Sequence, residues 1–217
     1  MSNPPSSRNT LFMQCHPSGN RFYFPHIDGL EIDPTKISAE DIAYALSVQP
    51  RFGGHCHPVM SVAEHCWRVS YEVERENALL GLMHDDAEYL CIDLPTPIKA
   101  LVPDYKTIER IVHEAIAEKF GFIEYRLDDV TRADRVLFCT EIRDLMGGTD
   151  GWNVRSPVLE PLPRRIIPMP RKLARIMFLR RLDELTGKPI RPLGFFNGLR
   201  WVIWRLKSWI KRKPESI

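Results

Sequence analysis

SVAEHCWRVSYEVERENALLGLMHDDAEYL, residues 61–90, is the stretch that decides the fold. It opens on Ser61 with Glu64 three positions later, the pattern of a helix-capping box. Val62, His65, Val69 and Val73 then recur on one helical face. From about Asn77 to Leu90 the apolar spacing predicts a further helix, with His84 and Asp85 in its middle. Two consecutive helices thus carry two histidines and an aspartate on or near their inner faces.

Outward from this pair the helical period continues. Ser38 and Asp41 form a second capping pattern before a helix at about 38–48. Further helices are predicted at about 104–120 and 128–146, the latter stopped by Gly147 and Gly148, and a last one ends at Gly187. The segment LFMQCHPSGNRFYFPH at 11–26 reads as a β-hairpin, and RFGGHCHP at 51–58 as a glycine-broken loop. DLPTPIKALVP at 93–103 and the stretch 157–170 are proline-punctuated. The fold class is therefore mostly α: a helical bundle with a short N-terminal hairpin, without βαβ alternation. No glycine fingerprint for a dinucleotide or a P-loop is present, which excludes those enzyme classes.

The 217 residues are 44% hydrophobic and 27% charged, an ordinary globular composition, and no apolar run is long enough to span a bilayer. Five scattered cysteines without a C-x-x-C pair point to reduced thiols and a cytoplasmic protein. Met1 to Thr10 is polar, without a signal-peptide core, and reads as a disordered N-terminus before a domain over 11–190. Residues 193–217 carry a net +5, which leaves the rest of the chain at −3 and gives no expectation of a nucleic-acid partner. In that tail Phe195, Leu199, Val202, Leu206 and Trp209 follow helical spacing opposite Arg200, Lys207 and Lys211. It is predicted to be a basic amphipathic helix that docks in an oligomer interface or on an anionic membrane surface.

Asp134, placed between Val130 and Phe138 at one-turn spacing, adds a carboxylate on the inner side of a later helix. His65, His84, Asp85 and Asp134 can then converge as two imidazoles and two carboxylates, a donor set suited to a borderline divalent ion. On an octahedral ion four protein ligands leave two positions open, and such an ion acidifies water to near neutrality.

The pattern H…HD…D formed by His65, His84-Asp85 and Asp134 resembles the signature of the HD-domain metal-dependent phosphohydrolases. The 5′-deoxynucleotidase-like branch, with its prophage-type relatives, is the finer match. It rests on RFGGH at 51–55, SVAEH at 61–65, HDDAE at 84–88, DLPTPIK at 93–99 and TEIRDL at 140–145. The resemblance implies His65, His84, Asp85 and Asp134 as metal ligands. It implies Arg51 as a fork on the substrate phosphate, and Glu88 as the group that orients or deprotonates the attacking water. Asp93 is implied beside the sugar or the leaving oxygen, Lys99 against further phosphates, and His55 in the substrate pocket. Phe52 stands where the deoxynucleotidases often carry Trp against the sugar. Only His113 lies between the HD pair and Asp134, so one ion is expected, drawn from Mn, Co, Zn, Fe, Ni or Mg. The implied activity is removal of phosphate from 5′-deoxyribonucleoside monophosphates by a homo-oligomer. A dNTP triphosphohydrolase and a non-catalytic nucleotide sensor or partner-binding protein are the alternatives.

Overall fold

Helix-period spacing in the sequence becomes helix along most of the chain. The computed structural model describes residues 11–122, 127–148 and 159–192. Their order is β1 (Phe12–Gln14), β2 (Arg21–Tyr23), α1 (Ala39–Val48), α2 (Val62–Glu72), α3 (Ala78–Met83), α4 (Glu88–Cys91), α5 (Thr96–Lys99), α6 (Pro103–Phe120), α7 (Leu127–Leu145) and α8 (Arg171–Leu185). The two strands pair antiparallel, with Met13 opposite Phe22, and Phe22 turns inward against the Tyr89 ring. No helix among the described residues is long and apolar enough to cross a membrane. The expected disordered stretch 1–10 and the expected amphipathic helix at 193–217 lie outside the described residues.

α2 is the hub. It is buried from Val62 to Ser70 and packs against α1, α3, α7 and α8. Trp67, Ile42, Leu46, Leu137 and Phe178 are among the side chains wholly removed from solvent around it. Each such side chain stabilises the fold by about 1.5–3 kcal/mol. A polar group carried on α2 therefore sits in the interior and must find its partners there.

Both predicted caps form, by half. The Ser61 hydroxyl accepts from the Glu64 amide at 3.3 Å, and the Ser38 hydroxyl from the Asp41 amide at 3.4 Å. Neither carboxylate completes a box. Glu64 Oε1 accepts from Arg68 Nε and Nη2 at 2.9 and 2.6 Å, and its Oε2 accepts from the Met169 amide at 2.6 Å. Asp41 Oδ1 accepts from the Ser18 amide at 2.9 Å, which fastens the hairpin turn to α1. A buried carboxylate takes its strongest available donors, and here those come from tertiary contacts.

The continuous helix expected over 77–90 is corrected. α3 ends at Met83, and the chain crosses 84–87 in a tight turn before α4. Across it the amides of Asp86, Glu88 and Tyr89 donate to carbonyls three residues back, at 3.0–3.1 Å. The cause is local: His84 Nδ1 bonds the Gly81 carbonyl at 2.9 Å, the acceptor that the Asp85 amide would use in an α-helix. This tighter winding brings residues three apart onto one face, so Asp85 and Glu88 lie one above the other.

The Glu64–Arg68 pair is buried on both sides. Arg68→Met should cost about 3–5 kcal/mol in denaturant unfolding, because it strands a carboxylate in the interior. Adding Glu64→Gln should recover part of that loss; an Arg68→Met protein as stable as the parent would contradict the assignment.

Candidate metal centre

Each histidine of the cluster is held by one ring nitrogen and offers the other. His65, fully buried on α2, has its Nδ1 2.6 Å from Glu141 Oε1. His84 has its Nδ1 2.9 Å from the Gly81 carbonyl. Both Nδ1 atoms face acceptors, so this network assigns one proton of each ring there and leaves each Nε2 to take a second proton or an ion. The two Nε2 atoms face one another at 3.2 Å. Asp134 Oδ1 lies 3.0 Å from His65 Nε2 and 3.9 Å from His84 Nε2. Asp85 Oδ2 lies 3.3 Å from His84 Nε2 and 3.7 Å from His65 Nε2. His65, His84, Asp85 and Asp134 are grouped closely enough to hold a metal ion.

The charge balance of the cluster fits a divalent ion. Burial alone would raise Asp85, Asp134 and Glu141, yet the surrounding imidazoles and Arg51 hold all three below their usual values. Three ionised carboxylates thus face one permanent cation, Arg51, and two positive charges are lacking. Without a metal ion the imidazoles take them up as protons. Burial and the Arg51 charge push His65 down, but Glu141 and Asp134 outweigh them and its value rises to about 10. His84 is lowered by burial and raised further by Asp85, for a net rise. One divalent ion among the Nε2 and carboxylate atoms supplies the same two charges.

Arg51 stands beside the cluster on a 3-10 turn (Arg51–Gly54), its Nε donating to Glu141 Oε2 at 3.2 Å and its Nη1 3.6 Å from Asp85 Oδ2. Phe52 follows with φ 56°, its ring 5.9 Å from that of Phe138 on α7. Glu88 lines a cavity of about 320 Å³ together with His84, Asp85, Lys99, Glu109 and Arg110. Burial, then the Asp85 and Asp93 charges, push the Glu88 carboxyl up to about 10. Its Oε2 is buried and has no hydrogen-bond partner among the described residues. Lys99 reaches the cavity wall but is paired with Glu109 at 2.7 Å. Asp93 lies just past α4, half-buried, with its value raised by burial and the Asp85 charge. His55 is exposed at the end of the Arg51 turn and is not drawn into the cluster.

Two further residues support this arrangement and are given no role by the sequence reading. Glu141 is fully buried and bridges His65 to Arg51. Its spacing of seven from Asp134 puts both on one face of α7, and that periodicity is the signal that could have found it. Gln49, at the end of α1, donates through Nε2 to the Glu88 carbonyl at 2.8 Å and accepts at Oε1 from the Asp93 amide at 2.9 Å. Nothing in its local sequence announces that.

Fold and site together define a helical protein with a partly buried His/Asp centre able to hold a metal ion. No protein-family model matches the chain. It is 38% identical over 175 residues to the uncharacterized protein YfdR of Escherichia coli (strain K12), across 78% of this chain and 93% of that protein. It is also 32% identical over 105 residues to an uncharacterized protein of Rhodobacter capsulatus, across 44% of this chain and 54% of the relative. The chain belongs to the same family as YfdR.

Glu141→Gln should lower divalent-metal affinity by about 10–100-fold, the usual cost of losing the group that orients a ligating histidine. Calorimetric titration of Mn²⁺ into the metal-stripped protein measures this, and unchanged affinity would remove Glu141 from the centre. In the parent protein, metal affinity should rise with pH, because the ion must displace protons from His65 and His84. With His65 near 10, that competition extends over the whole neutral range. A flat affinity profile between about pH 6 and 9 would refute the charge balance given above.

Proposed function

We propose that this protein is an HD-type metal-dependent phosphohydrolase acting on nucleotides, with 5′-deoxyribonucleoside monophosphates as its substrates. The observation that carries the reading is the convergence of His65, His84, Asp85 and Asp134 beside a cavity lined by His84, Asp85 and Glu88, where Glu88 Oε2 has no hydrogen-bond partner among the described residues. A divalent ion bound there would supply Lewis acidity toward a phosphoryl oxygen and would acidify water. The remaining tasks fall to the protein's own side chains.

Arg51 keeps its Nε on Glu141, and its Nη1 is directed toward Asp85. A phosphate seated at the cluster would take over the Nη edge, and the fixed guanidinium would offset the charge that spreads over the equatorial oxygens during in-line displacement. Glu88 keeps its proton at neutral pH under the combined effect of burial and the Asp85 charge. It is therefore suited to protonate the departing 5′ oxygen, rather than to deprotonate water as the resemblance implies. Gln49, bonded to the Glu88 carbonyl and the Asp93 amide, steadies the backbone at the two ends of α4.

A monophosphate suits the cavity better than a triphosphate. Lys99 is bound to Glu109 and Arg110 to Glu114, at 2.7 and 2.6 Å, so each is already neutralised. The volume also falls at the small end of ligand pockets, as expected for a nucleoside moiety rather than a nucleoside with a polyphosphate tail.

Asp85→Ala should abolish both metal binding and turnover. Glu88→Gln should bind the metal normally and lose about 10²–10⁴ in rate. Chromatography of products from dNMPs, NMPs and dNTPs with Mn²⁺, Co²⁺ or Mg²⁺ tests the reaction itself. Deoxynucleoside with orthophosphate supports it. Intact triphosphate from a dNTP would replace it with a triphosphohydrolase, and silence across the panel with metal bound would replace it with a nucleotide sensor.

A further inference from the structure

A sulfur atom sits beside these nitrogen and oxygen donors. Cys66 follows His65 on α2, is wholly buried, and is a free thiol. Its Sγ, a ring nitrogen of His84 and a carboxylate oxygen of Asp85 all lie within 4.8 Å of one another. Cys66 thus borders the turn that carries His84 and Asp85. His65, His84 and Asp134 form a second group at the same separation. Two donor sets therefore overlap at His84: one of nitrogen and oxygen, the other containing sulfur.

We propose that Cys66, with His84 and Asp85, forms a soft-ion mode of the centre that binds thiophilic divalent ions such as Zn²⁺ or Cd²⁺. The inference rests on the metal-centre reading and adds a ligand to it. Soft and borderline ions favour thiolate donors, whereas Mn²⁺ and Mg²⁺ favour carboxylates and water. Sulfur bonds are longer than nitrogen or oxygen bonds to the same ion, about 2.3 Å against 2.0–2.2 Å for zinc. An ion held by Cys66, His84 and Asp85 would use the sulfur-containing group, of which Asp134 is not a member. Coordination requires the thiol to pass its proton to solvent. His84 and Asp85 cannot serve both modes at full occupancy, so a thiophilic ion would displace the ion of the nitrogen–oxygen set.

Co²⁺ added to the metal-stripped full chain is the probe, because thiolate ligation adds an intense near-ultraviolet charge-transfer band to the visible d–d bands. The parent protein should show both features. Cys66→Ser and Cys66→Ala should lose the charge-transfer band and keep the d–d bands. Competition titrations should show both variants weakened for Cd²⁺ by at least about tenfold, with Mn²⁺ affinity changed less than about twofold. Visible d–d bands without a charge-transfer band in the parent, or Cd²⁺ affinity unaffected in both variants, would overturn the soft mode and leave the metal centre standing. Failure of Co²⁺ to bind at all would overturn the metal centre itself and Cys66's place in it.

Discussion

The 2.6 Å contact between His65 Nδ1 and Glu141 Oε1 spans 76 positions of sequence and joins the hub helix α2 to α7. It places the His65 proton on Nδ1 and turns Nε2 toward Asp134, Asp85 and His84. Because the second oxygen of Glu141 takes Arg51, the same carboxylate sets the guanidinium beside the cluster. A buried carboxylate with only one of these partners would be expensive to keep ionised. With both it stays charged and passes its negative potential to the imidazole. Part of the positive charge that His65 attracts in the metal-free protein is thus built in by a residue that need not touch an ion. Metal binding and folding stability are linked through this deficit, since an ion that binds only the folded chain stabilises it by mass action.

Much of the fold could be read directly from local patterns. Serine caps, glycine stops and helix-period apolar residues place α1, α6 and α7 to within a residue or two of their observed ends, and the start of α2 likewise. The exceptions share a physical cause: a side-chain hydrogen bond that displaces the one the local pattern predicts. Glu64 deserts its cap for Arg68 and the Met169 amide, 105 residues away. His84 takes the Gly81 carbonyl and turns the predicted mid-helix site into a tight turn. Periodicity registers which face a residue is on, but not which hydrogen bond wins there.

The site follows the same division. The grouping of His65, His84, Asp85 and Asp134 was legible because helical spacing put His65 and Asp134 on inner faces and the residue types share one chemistry. Motif spacing pointed to Arg51 and Glu88, and the structure sets both beside the cluster. Glu141 and Gln49 were not legible, because a buried glutamate and a glutamine at a helix end acquire meaning only from residues 39 to 90 positions away. His55 shows the reverse: motif spacing placed it in a pocket, yet its turn leaves it exposed.

Backbone strain marks the same two places that the hydrogen bonds do. Among the described residues, the non-glycine positions with positive φ are Phe52 at 56° and Ile92 at 60°. The first directly follows Arg51, and the second directly precedes Asp93. Each such conformation costs about 1–3 kcal/mol and persists only where surrounding contacts over-determine it. Those contacts are present. Arg51 is held by the Met60 carbonyl and Glu141, and Phe52 packs near Phe138. The α4 end is held by Gln49, two residues before Arg51. The segment 49–51 therefore anchors the guanidinium together with the Glu88 carbonyl and the Asp93 amide. Relaxing either strained residue would release a side chain that the proposed chemistry needs fixed relative to the cluster. Rigidity in the hub helix and strain in the two flanking turns serve one end: they hold charged groups at distances that free side chains would not keep.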